Sequence, residues 1–404
     1  MMRLCLQFGY GMMGHCCDLI RKWHGGLSIL SPRDLTPEQL TRLGGDICKI
    51  NHGSVLIDPQ LYLPHSSHER LSSHDYWPKD YDSNVFWSGP QLATMLAALR
   101  DANRAAGAGK MILPSILASR IDDDWLEHQA ATIREATAMD PGMETIVTLP
   151  LSAGVLQDDQ QVGNLLDESE AWDASSFYIV CEHPNGRYLV DEPVWLGNVL
   201  DLIAGLRLRG AEVILGYSNH QMLIAGCAGV STIASGTWMN VRAFPPEKFE
   251  ASFDDEIKQR AIWCYCPQAL SEYKVPFLDI AYKHGLISQM ATPAGFGDGG
   301  CLPVFNGAQP STVNLSERDA FRHYLNCLRF QAMDAVKPSF DATTDHHERM
   351  LNEAATLLST LRGAGIMGQL RDFSDIVDVN RAALLLLKRG RGAMLRRKWR
   401  AITA

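Results

Sequence analysis

Short apolar runs alternate with amphipathic helical patterns along most of this chain, and that rhythm limits the fold more than any motif does. Residues 27–30, 55–57, 110–114, 144–149, 177–181, 212–215 and 231–234 each read as a buried strand. Helical patterns fill the gaps. Thr36-Pro37-Glu38-Gln39 opens one helix with a cap residue and a proline in the first turn. Residues 91–105 carry Leu92, Met95, Leu96 and Leu99 at helical spacing, and residues 122–139 begin with three acids that suit an amino-terminal helix dipole. Further helices are read at 158–172, 194–208 and 220–227. Strands that are apolar throughout and separated by helices pair in parallel, with both faces of the sheet covered. Counted from residue 27, with 261–264 as the eighth strand, the units predict an α/β fold, a (β/α)8 barrel of the TIM type. Beyond Pro310 the alternation stops. Helical patterns over 315–335, 347–362 and 375–388 predict a helical C-terminal extension, dividing the chain into a barrel (1–310) and an extension (311–404).

Hydrophobic residues make up 46% of the 404 and charged residues 21%, which supports a large core and excludes a disordered chain. A net charge of −9 excludes a protein coated in basic surface for non-specific nucleic-acid binding. The tail is the exception: Lys388, Arg389, Arg391, Arg396, Arg397, Lys398 and Arg400 occur with no acid among them, a candidate contact for the backbone of DNA or RNA. Ten cysteines without an export signal read as reduced thiols. No apolar stretch approaches the roughly 18–20 residues that span a bilayer. These features predict a cytoplasmic protein with no membrane partner, and they leave a homo-oligomer open.

Residues 3–8 can form one more strand, followed by Gly9-Tyr-Gly11-Met-Met-Gly14. That spacing matches a dinucleotide-binding turn, whose glycines allow a tight bend and close approach to a pyrophosphate. It carries the alternative of an NAD(P)-dependent oxidoreductase, although Ser31-Pro32-Arg33 stands where an acid is expected.

A barrel places its chemistry where the strands end. Asp58 follows the run 55–57 directly, before Pro59 and Gln60, with Tyr62 close behind. Glu182 and His183 follow the fifth run, Tyr217-Ser218-Asn219-His220-Gln221 the sixth, and Trp238 and Asn240 the seventh. Two carboxylates, Asp58 and Glu182, suit catalysis at a sugar carbon, one attacking or stabilising charge and one managing protons. Amide and imidazole groups at Gln60, Asn219, His220, Gln221 and Asn240, with Ser218 and the aromatic rings of Tyr62 and Trp238, suit recognition of a flat nucleobase.

In this order the segments resemble the tRNA-guanine transglycosylase superfamily, barrel enzymes that exchange guanine for a 7-deazaguanine and that include relatives acting on DNA. The resemblance rests on Val55-Leu-Ile-Asp58-Pro-Gln60, on Ala234-Ser-Gly-Thr-Trp-Met-Asn-Val-Arg242, on Trp263-Cys264-Tyr-Cys266-Pro and on Ala281-Tyr-Lys-His284. It implies base exchange on a nucleic acid or nucleoside, with Asp58 as the proton-handling or nucleophilic carboxylate and Glu182 as the second. It also implies Arg242 on a phosphate and zinc on Cys264 and Cys266, with His284 and Cys301 as substitute ligands. Two positions depart from the family pattern. Ser235-Gly236-Thr237 stands where a second aspartate is expected, and Ala269 where a third cysteine is expected. A non-catalytic nucleic-acid-binding module of a larger assembly is the remaining alternative.

Overall fold

The computed structural model describes the chain except residues 67, 84, 252–260, 294, 295, 297–302, 306 and 404. Eight parallel strands form one sheet: β1 (Arg3–Gln7), β2 (Gly26–Leu30), β3 (Gly53–Ile57), β4 (Lys110–Ile112), β5 (Glu144–Leu151), β6 (Ser176–Cys181), β7 (Glu212–Leu215) and β8 (Thr232–Ser235). Their order is β3-β2-β1-β8-β7-β6-β5-β4, so the sheet curls until its two ends meet. β1 closes against β8 with Leu4 opposite Ile233 and Cys5 opposite Ala234. Seven parallel ladders join the strands, and β3 and β4 share none. The fold is a nearly closed TIM barrel with a helical C-terminal extension.

The strand count differs from the expected one by a single step. The first barrel strand is β1, and residues 261–264 do not supply the eighth. Instead β9 (Trp263–Cys266) pairs antiparallel with β10 (Ser271–Lys274) in a separate hairpin. Trp-Cys-Tyr-Cys is apolar throughout and its last three residues are buried, so its composition is that of a core strand, and only its partner distinguishes it from one. It follows that Gly9–Gly14 is the first strand-to-helix connection of the barrel. Gly9 lacks a Cβ because Val241 lies 2.7 Å from where one would sit, and Gly11 has φ +75°, a left-handed turn.

The covering helices follow the local signals. α1 (Met13–Lys22) packs behind the glycine turn. α2 (Pro37–Cys48) starts in a capping box between Thr36 and Gln39. α3 (Pro90–Ala106) ends at Gly107 in the left-handed conformation, and α4 (Asp123–Met139) is capped by Asp122. α5 (Asp159–Ser169) and α6 (Pro193–Leu208) follow. α6 is apolar nearly all round, which a surface helix cannot sustain. The extension explains it. α10 (Val377–Gly390) and α11 (Gly392–Thr403) pack on α6, and Leu386 comes so close to Gly197 that a Cβ there would clash. Burying each large apolar side chain in this second layer contributes roughly 1.5–3 kcal/mol. α7 (Val275–Lys283) follows the hairpin, and α8 (Glu317–Asp334) packs on both β1 and β9, so the extension is continuous with the helical ring. α9 (Phe340–Gly363) completes the outer layer.

Candidate functional site

Asp58 follows β3 directly and is fully buried at the carboxyl end of the barrel. Three tyrosine hydroxyls surround its carboxylate. Tyr62 Oη donates within 2.8 Å of both oxygens, Tyr217 Oη lies 3.1 Å and Tyr178 Oη 3.2 Å from Oδ2, and the Gln60 N–H lies 3.0 Å from Oδ1. These groups come from three places on the rim: the connection after β3, the middle of β6 and the end of β7. Every donor is neutral; among the described residues no cation touches Asp58. Burial pushes its carboxyl up to about 6, and the hydrogen bonds from Tyr62, Gln60, Tyr217 and Tyr178 only partly offset that. The tyrosines are held well above their ordinary range by burial and by the Asp58 charge, so they remain donors.

The backbone is strained at this point. Gln60 (φ +56°) and Tyr217 (φ +48°) both adopt the left-handed conformation, and Gln60 Nε2 donates to Tyr217 Oη at 3.1 Å. Such residues cost of order 1–3 kcal/mol each and persist where the surroundings over-determine them, as at active sites. The Gln60 carbonyl accepts from the Arg33 N–H and Ser31 Oγ, which joins the network to Asp34 through a 2.8 Å bond from Ser31.

A strap covers the mouth. After β8 the chain crosses the barrel opening, and Phe244 forms a parallel bridge to Glu182 at the end of β6. The Phe244 ring packs edge-on against Tyr62 and Tyr217, and Phe249 packs against Tyr62. Lys248 is buried 3.8 Å from Asp34, and its carbonyl accepts from Arg33 Nε at 2.7 Å. In this closed form nothing from solvent touches Asp58.

The other residues anticipated from the sequence separate into groups. Glu182 is half-buried on the β6 rim, but its carboxylate accepts from the Ala153 N–H at 2.9 Å and takes no part in the Asp58 network. Ser218, Asn219 and Gln221 are buried and bonded to backbone. Ser218 Oγ donates to Leu215 O; Asn219 caps the following turn and donates to Tyr188 O; Gln221 brackets both backbone groups of Val190. Trp238 packs edge-on against Phe321, and Asn240 is half-buried beside it in sequence.

Arg242 corrects the phosphate expectation. Its guanidinium is 1% exposed, donates to Gly236 O at 2.8 Å and to Glu272 at 3.1 Å, and lies 3.4 Å over the Tyr324 ring. Arg371 from the extension also holds Glu272, at 2.7 Å, and Tyr188 Oη donates to it at 2.9 Å. Burial opposes the Glu272 charge, but Arg371 and Arg242 overcome it and bring the carboxyl down to about 2. His220 sits among the rings of Tyr188, Tyr265, Tyr324 and Phe373; burial lowers it to about 4, so it is neutral.

The residues do not fit zinc. Cys264 and Cys266 are buried thiols whose titration burial pushes upward, and Ala269 takes the place of a third ligand. His284 is exposed at the end of α7, Cys301 lies outside the described residues, and no group of three or more metal-binding side chains occurs among those described.

The basic tail lies at the opposite end of the barrel from Asp58. Ile402 packs on Gly229 just before β8, and the Met1 amino group donates to Thr403 O. Four of its cations are engaged: Lys388 with Glu348, Arg391 with Asp201, Arg396 with Asp341, and Lys398 with the Leu208 carbonyl. Arg389, Arg397 and Arg400 are exposed. Among the described residues no helix is long and apolar enough to cross a membrane.

Fold and site together describe a barrel with an occluded, neutral-caged carboxylate at its carboxyl end. No protein-family model and no curated protein matches the sequence. Among solved structures the chain is similar to triosephosphate isomerase from Bartonella henselae (12% identity, 58% of this chain and 92% of that one, TM-score 0.32). It is also similar to the Amycolatopsis orientalis BexX/CysO complex (14%, 62% and 85%, TM-score 0.34). A third likeness is to the carboxyl transferase domain of Rhizobium etli pyruvate carboxylase (12%, 95% and 78%, TM-score 0.34). No chemistry is taken from likenesses this distant.

Proposed function

We propose that this protein is a transglycosylase-like barrel enzyme that exchanges or cleaves a nucleobase of the guanine or 7-deazaguanine type, with Asp58 handling the proton. The observation that carries the reading is the Asp58 carboxyl at the barrel's carboxyl end, held near pH 6 by burial among three tyrosine hydroxyls. A carboxyl in that range can give and take a proton near neutrality. The resemblance around residues 55–60 supplies the substrate class.

In the forward step protonated Asp58 gives its proton to a ring nitrogen of the departing base while the N-glycosidic bond breaks and its electron pair leaves with the base. Glu182, on the same rim, faces the positive charge that develops on the sugar carbon. An incoming base then forms the new bond through its ring nitrogen and loses that nitrogen's proton to Asp58. Entry requires the strap carrying Phe244 and Phe249 to move. Exposed cations on the connections after β3 and β4, Arg70, Lys79 and Arg120, stand closer to this mouth than the tail does and would meet a nucleic-acid backbone.

The test is to incubate the purified protein with tRNA or DNA and labelled guanine or 7-deazaguanine. Incorporation or base release that disappears in Asp58→Asn supports the reading. Absence of both on every nucleic acid and nucleoside offered, by folded protein, removes it.

A further inference from the structure

Among the described side chains hydrogen-bonded into the Asp58 network, Gln7 has the one buried polar atom without a partner. Gln7 ends β1 and is fully buried, and its amide reaches across the barrel interior to Tyr178 Oη at 3.2 Å. The other end of that amide, Nε2, has no hydrogen-bond partner among the described residues. Gln60, on the same network, uses both ends of its amide twice over. An unpaired amide buried this deeply costs stability and calls for a reason.

Counting protons sharpens the point. Tyr178 Oη lies 3.2 Å from both Gln7 and Asp58 Oδ2, yet a hydroxyl carries one proton. When Asp58 is ionised, that proton belongs on the carboxylate, and the Gln7 amide satisfies itself best by turning its N–H toward the Tyr178 oxygen. Its carbonyl is then left over. When Asp58 is protonated, the carboxyl can donate for itself, Tyr178 turns its proton to the Gln7 carbonyl, and the N–H is left over. The two ends of an amide have nearly the same shape, so both arrangements fit the same space. In either state one amide atom stays open beside the reacting group.

We propose that Gln7 is a substrate-contacting residue of the Asp58 site, keeping one amide atom for a planar heterocycle that carries a carbonyl next to a ring N–H. The guanine edge has that pair, an acceptor for the amide N–H and a donor for its carbonyl. The choice of guanine rests on the function proposed above; the open amide atom does not. Sequence reading passed over Gln7 because it precedes a glycine turn that drew attention to cofactor binding.

The experiment compares wild type with Gln7→Leu in two readouts: calorimetric titration with guanosine, and thermal unfolding without ligand. Leucine fills similar volume and removes the amide. Guanosine affinity is expected to fall at least tenfold while Tm changes little, because the variant gives up only the 3.2 Å contact with Tyr178, whose hydroxyl keeps Asp58 as its partner. Unchanged affinity in the variant overturns the proposal, and so does a Tm lowered by several degrees, since the amide would then be a structural group. If wild type binds no guanosine, the free nucleoside is not its ligand, and the nucleobase reading is decided separately by the incorporation assay on nucleic acid. Gln7 is then decided by Tm alone: a lowered value overturns its role and a level or raised one supports it.

Discussion

Replacing Asp58 by asparagine keeps the shape of the side chain and removes its titration, which makes the cage measurable. The carboxyl is raised from 3.8 to about 6 in the folded protein, and the group is completely buried, so no allowance for solvent screening is needed. That rise corresponds to roughly 3 kcal/mol. The folded state holds its proton more tightly than the unfolded chain, so the associated stability is complete below about pH 3.8 and is lost as pH rises to about 6. Urea unfolding of wild type and Asp58→Asn, followed by tryptophan fluorescence from pH 4 to 7.5, isolates this group in the difference between the two curves. Relative to the variant, wild type is expected to lose up to about 3 kcal/mol across that window, with a slope approaching 1.4 kcal/mol per pH unit, and to be flat above it. A flat difference refutes the reasoning. A difference that grows with pH refutes it more sharply, because the hydroxyls would then outweigh burial and Asp58 would be a resting anion rather than a proton carrier.

Four further outcomes follow from the same geometry. Glu272→Gln leaves Arg242 and Arg371 without their counter-charge and should cost about 3–5 kcal/mol in urea unfolding; a loss below about 1 kcal/mol would mean the buried ions find other partners. His220→Phe removes a histidine held near 4, whose stabilising neutrality is lost as pH falls from 6.5 toward 4, so the variant should gain on wild type over that interval and not above it. Phe244→Ala loosens the strap, and carbodiimide coupling mapped by mass spectrometry should then label Asp58 while Glu272, buried elsewhere, stays unlabelled; labelling of both would indicate general unfolding. Removing Arg389, Arg397 and Arg400 together should leave the salt dependence of tRNA binding unchanged, whereas alanine at Arg70, Lys79 and Arg120 should reduce the slope by about one per contact, and the reverse result would put the nucleic acid on the tail.

The barrel was legible because periodicity survives in a single sequence. Apolar runs at 55–57 and 177–181 could only be buried strands, and the capping box at Thr36 marked its helix directly. The register of the count was not legible. Arg3–Gln7 begins and ends on a polar residue and leads into a glycine turn that matches a cofactor motif, while Trp263–Cys266 has the strand-forming residues of its hairpin. At the site, Asp58, Gln60 and Tyr62 were found because they interrupt an apolar run within a few residues of each other. Tyr217 was placed on the rim but given no role, and Tyr178 was missed, because it is remote in sequence from Asp58 and an aromatic residue in a strand looks like core until the barrel curls it inward. Arg242, Ser218, Asn219 and Gln221 were read as ligand contacts because unpaired polar groups and internally paired ones are the same letters in a sequence.

The unladdered join between β3 and β4 bears on how this barrel yields. With seven ladders instead of eight, the wall is a rolled sheet whose two free edges abut, and spreading them breaks no strand-to-strand hydrogen bond. Above the join, the Leu117 N–H donates to the Tyr62 carbonyl at 3.0 Å, linking the segments that leave the two strands. Tyr62 is also the residue whose hydroxyl spans both Asp58 oxygens. The softest line in the wall therefore ends at the tyrosine nearest the carboxylate, so a ligand that wedges the rim apart pulls directly on the hydrogen bond that does most to offset burial at Asp58.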